Sequence, residues 1–203
     1  MKTTLNAIRA CSPCPDGWKK LLQHLGKTEA DDEPLSIVMV LDSNGLDDAF
    51  WCLRAVTGQD REIRLFAVWC ARRAQHLNTD PRVEAALVAA EGFANGAVSA
   101  FDMAEAEAAA WATAERKPRV WADTATRVWA QAAAQAAAWA TAWVASASEA
   151  AAEAANAIAA EAAARSVAGV WGASPTEVWA VELDAQAVEL RRLCAEIDAG
   201  GVK

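Results

Sequence analysis

A chain of 203 residues, 54% of them hydrophobic, is long enough to bury a core without disulfides or metals, and one domain is the default at that length. Nineteen Lys plus Arg against 27 Asp plus Glu give a formal charge of -8, which disfavours nucleic acid and anionic lipid and suits a basic partner. Five cysteines, an odd number, fit a reducing cytoplasm better than a disulfide framework, and residues 1–9 lack the apolar run of a secretory signal.

Helix punctuation recurs along the chain. Asp16-Gly17 precedes a short helix over 18–25, which Gly26 ends as a left-handed cap. Pro34 falls at the first turn of a segment over 35–41, whose β-branched residues leave a strand open as an alternative to a helix. Asp42-Ser43-Asn44-Gly45 then supplies a turn and an N-cap for a helix over 46–56. Asp60 caps the next, over 61–77, where Ile63, Phe66, Ala67, Cys70 and Ala74 recur at spacings of three and four. Asp80-Pro81 starts another helix and Asn95-Gly96 stops it. Ser99 with Asp102 opens the following one, and Ser174-Pro175-Thr176-Glu177 combines an N-cap Ser, an N1 Pro and an N3 Glu at the head of the last, near 175–197.

Alanine occupies 31 of the 62 positions from 104 to 165, so long helices are expected there, divided at Pro118. Trp121, Trp129, Trp139 and Trp143 fall within about 80° of one another at 100° per residue, and the expected role of that stripe is docking against alanines of a neighbouring helix, with a ligand groove or partner-binding face as the alternative. Residues 128–148 carry no charge but are dominated by Ala, which gains little from lipid, so no membrane span is expected. The fold class that results is all-α: a single domain over 1–203, with short helices in 1–97 and long Ala/Trp-rich helices in 98–203.

Chemistry-bearing motifs are sparse. Cys11-Ser12-Pro13-Cys14 stands just before a helix, where a Cys-x-x-Cys pair can cycle as a dithiol or give half of a zinc site. The redox reading lacks a βαβ context, and the zinc reading lacks a second Cys-x-x-Cys; Cys11 and Cys14 are the weak metal candidates, beside a structural role. Cys52 and Cys70 lie in apolar helical patterns, as small buried hydrophobes do. His24 and His76 fall near helix C-termini, where an imidazolium complements the dipole. No nucleophile and base pair, no Gly-rich phosphate loop and no calcium loop emerges from spacing, so neither an enzyme nor a cofactor is expected.

Charge placement says more. From residue 28 to 53 there are seven acids, Glu29, Asp31, Asp32, Glu33, Asp42, Asp47 and Asp48, and no Lys or Arg. Arg54, Arg61, Arg64, Arg72, Arg73 and Arg82 follow. Two readings stand: ion pairing between neighbouring helices, or an acidic face for a basic partner.

The residues Ile8 to Leu22, Asp31 to Leu35 and Leu41 to Arg54, with Arg64 to Arg72 and the closing Leu190-Arg191-Arg192-Leu193-Cys194, resemble bacterial immunity proteins of the Imm5-like type. The resemblance implies a cytoplasmic protein that blocks a toxin delivered by another cell, and brings no toxin-binding residues with it. The expected function is therefore a non-enzymatic inhibitor of a protein toxin or effector, without direct nucleic-acid binding, its target steered by the seven acids. A phage or mobile-element inhibitor of a host defence complex, and a thiol or zinc protein built on Cys11 and Cys14, are the alternatives.

Overall fold

A computed structural model describes residues 1–77, 80–114 and 174–200. It is all-α apart from one two-residue strand pair. In chain order the elements are β1 (Lys2–Thr3), α1 (Leu5–Ala10), α2 (Pro15–Leu25), β2 (Leu35–Ser36), α3 (Ile37–Asn44) and α4 (Leu46–Cys52). A 3₁₀ turn at Leu53–Ala55 leads on to α5 (Asp60–Ala74), α6 (Pro81–Ala94), α7 (Ala100–Ala114) and α8 (Pro175–Asp198). The described residues fall into two compact units, one within Met1–Asp60 and Ala187–Lys203, the other within Arg61–Gln186. The change of composition near residue 97 lies inside the second unit.

In the first unit β1 and β2 pair antiparallel, Lys2 opposite Ser36 and Thr3 opposite Leu35. The segment read as helix or strand is thus both: Leu35 and Ser36 extend, then Ser36 caps α3 by accepting the Val38 N–H at 3.2 Å. The buried Thr3 hydroxyl donates to the Ala55 carbonyl, so this short ladder is also tied to the 3₁₀ turn. Leu5, Ile8, Leu21, Ile37, Val40, Phe50 and Leu53 form the core with Leu190 and Cys194 of α8.

The second unit buries the predicted stripe of α5: Ile63, Phe66, Ala67, Cys70 and Ala74 are all inaccessible. Asp80 caps α6 through the Arg82 N–H, Ser99 caps α7 through the Asp102 N–H, and Ser174 with Glu177 closes a reciprocal capping box on α8. Trp111 of the Ala-rich run packs against buried Ala86 and Ala110. Pro118, the stripe Trp121, Trp129, Trp139 and Trp143, and the uncharged stretch 128–148 lie outside the described residues. No helix among the described residues is long and apolar enough to cross a membrane.

Candidate functional site

The first unit holds a cleft built from short helices whose first turns are fixed by local chemistry. Cys14 occupies the N-cap of α2, its sulfur accepting the Gly17 N–H at 3.3 Å, and Pro15 fills the position where a missing N–H costs nothing. Gly26, at φ 64°, ends the helix in the left-handed conformation. At the other wall, Gly45 joins α3 to α4 at φ 103°, a backbone that side-chain-bearing residues resist. Four side chains of α4, Asp47, Asp48, Trp51 and Cys52, share one face because they stand at i, i+1, i+4 and i+5.

Gly17 and Asn44 hold the walls together. A methyl group on Gly17 would meet Asp48 Oδ2 at 2.7 Å and Cys14 Sγ at 3.0 Å, so a side chain here would push the Asp48 carboxylate out of its present place. The Asn44 amide nitrogen donates to the Gly17 carbonyl at 2.8 Å and to Asp48 Oδ2 at 2.7 Å, while its oxygen accepts the Ser43 hydroxyl at 2.8 Å. Lys20 Nζ donates to the Asn44 carbonyl at 3.2 Å. One amide thereby links α2, α3 and α4.

Between these walls lies a cavity of about 190 Å³. Ile8, Pro13, Trp18, Leu21, Val40 and Trp51 line it with apolar surface; Cys14, Asn44, Asp47 and Asp48 add polar atoms, and no Lys or Arg is among its lining residues. The Arg54 guanidinium lies against the Trp51 ring, 4.6 Å from its centroid, with Nε donating to the Trp51 carbonyl at 2.9 Å. Burial pushes the Cys52 thiol up to about 12, with Asp48 and Cys11 reinforcing the shift and Arg54 opposing it, so Cys52 is a neutral apolar wall rather than a nucleophile.

The acids of the sequence reading part ways here. Asp47 is exposed and Asp48 half-buried, both lining the cavity. Asp31 and Glu33 both take the Lys27 ammonium, and the Lys27 hydrogen bond holds the Asp31 carboxyl below its ordinary value. Asp42 pairs with Arg191 of α8. Glu29 and Asp32 are exposed in the connection between α2 and β2. Cys11 and Cys14 perform different tasks, Cys11 Sγ facing the Arg54 carbonyl at 4.0 Å while Cys14 caps a helix. Among the described residues no group of three or more His, Cys, Asp or Glu is gathered as a metal site.

Trp18, Trp51, Asn44 and Gly17 complete the cleft beside the predicted acids Asp47 and Asp48. The available signal was the repeated i, i+4 spacing of Gly17 with Leu21, Asp47 with Trp51 and Asp48 with Cys52. No family profile, curated protein or solved structure matches the chain.

Proposed function

We propose that this chain is a non-enzymatic binding protein that neutralises a basic protein toxin or effector in the cytoplasm, as immunity proteins do. The observation that supports this reading is the cleft of the first unit, where Trp18 and Trp51 flank an apolar cavity and Asp47 and Asp48 add negative charge. Tryptophans in water-excluding pockets supply the steep part of protein–protein affinity, and charges at a rim set encounter rate and sign. Asp47 at the surface, with Glu29 and Asp32 elsewhere on the unit, gives a positively charged target a favourable approach.

The test is co-expression with each candidate basic effector domain encoded near this gene in its host. Growth should recover, the two chains should elute as one complex, and the association rate should fall as salt rises. Cell death unchanged by co-expression, with no complex at micromolar concentration, would overturn the proposal.

A further inference from the structure

Resting on that reading, we propose that the cavity receives one arginine side chain of the protein partner, its guanidinium laid against Trp18 and held by the Asp47 carboxylate. A space of about 190 Å³ suits a single side chain rather than a helix or a strand. Its walls are apolar, matching the methylene stem of a long basic residue, while its charged groups are carboxylates only, matching the head. An anion would meet Asp47 and Asp48, and an apolar side chain would bury Asp48 with no opposite charge.

Arginine fits better than lysine for a geometric reason. A guanidinium is planar, weakly hydrated and forked, so it stacks on an indole and meets a carboxylate at the same time, whereas an ammonium needs acceptors on several sides. The same unit already uses this chemistry at the neighbouring tryptophan, where Arg54 lies over Trp51. Asp48 is oriented before any partner arrives, because Asn44 holds its Oδ2 at 2.7 Å. Lys20 is directed to the Asn44 carbonyl and is not a lining residue of the cavity.

The experiment titrates N-acetyl-arginine methylamide into the full chain and follows the indole N–H signals of Trp18 and Trp51. The citrulline derivative, equal in length and uncharged, and the lysine derivative serve as controls. Saturable shifts at both indoles with a dissociation constant of about a millimolar, roughly tenfold tighter than either control, are expected. Asp47→Asn should weaken the arginine probe by about two- to fivefold, as loss of one exposed charge does. Equal binding of citrulline or lysine, or no saturable shift up to about 50 mM arginine probe, overturns the inference. Failure here with intact protection against the toxin removes only the arginine anchor. Absence of protection by the wild-type chain removes the inhibitory reading, and the titration then decides the arginine site alone.

Discussion

Within Arg61–Gln186 three of the described arginines are taken up by helix packing. Arg72 forks onto Glu91 at 2.7 and 2.9 Å and reaches Glu84; Arg73 grips the buried Glu182 at 2.7 Å and lies over Trp69; Arg64 is buried over Phe93. The acidic block of the first unit instead places Asp31 and Glu33 on Lys27, Asp42 on Arg191, and Asp47 and Asp48 at a cavity. A block of acids followed by a block of arginines suggests that each neutralises the other. The ion pairs found here join the acidic block to Lys27 and Arg191, and the arginines to Glu62, Asp80, Glu84, Glu91 and Glu182. Arg64, Arg72 and Arg73 are thus committed to internal packing, whereas Asp31, Glu33, Asp42 and Asp47 stay near solvent.

The largest effect expected from breaking this contrast lies in the second unit. Arg73→Met leaves the Glu182 carboxylate buried with the Gln186 amide at 3.1 Å, which should cost about 2–4 kcal/mol in urea unfolding. Adding Glu182→Leu should recover most of the loss; a cost as small as that of a surface pair would erase the distinction between the units. Next comes Gly17→Ala, whose methyl group would press on Asp48 and should cost about 1–3 kcal/mol while weakening protection against the effector. Unaltered stability and protection would show that the cleft is not held by that approach.

A pH experiment sharpens the contrast further. Cys52 rises from an ordinary 9.0 to about 12, so its raised value stabilises the fold fully below pH 9, and the contribution declines as pH climbs toward 12. The unfolding free energy of wild type from urea titration should therefore fall above pH 9 more steeply than that of Cys52→Ala, by at most about 1.4 kcal/mol per pH unit. Identical slopes would mean that Cys52 ionises freely. The smallest change belongs to Lys27→Met, whose solvent-accessible pairs with Asp31 and Glu33 should leave the midpoint at neutral pH nearly unmoved. Asp31, lowered by Lys27, contributes above its ordinary value and loses that contribution as pH falls through the lowered one. In Lys27→Met its titration by carboxyl NMR should return toward the usual range.

Features written in local chemistry were legible in the sequence. Asp80-Pro81, Ser99 with Asp102, Ser174 with Glu177, and Gly26 each act within one turn, and each stands where the residues place it. The start of α2 was placed a turn late because sulfur is a weak acceptor and Cys14 reads as a thiol motif before it reads as a cap. Lys27, one residue before the cation-free stretch, neutralises two of its acids, and Arg191 reaches Asp42 across 149 positions, a pairing no window contains. The cavity escaped for a similar reason. Its walls come from four helices and the loop before α2, and half-exposed tryptophans such as Trp18 and Trp51 leave only a faint periodic trace in short segments.

Asn44 stands directly before Gly45, a pairing in which the following backbone nitrogen is least hindered from closing onto the side-chain amide and releasing ammonia. Here that nitrogen donates to the Leu41 carbonyl at 3.1 Å, and the amide is spoken for by Gly17 and Asp48. The fold therefore shields a chemically perishable residue by the same contacts that make it indispensable. Hydrolysis of that amide would turn a donor into an acid beside Asp48, so the contacts that shield this one side chain also preserve the cleft.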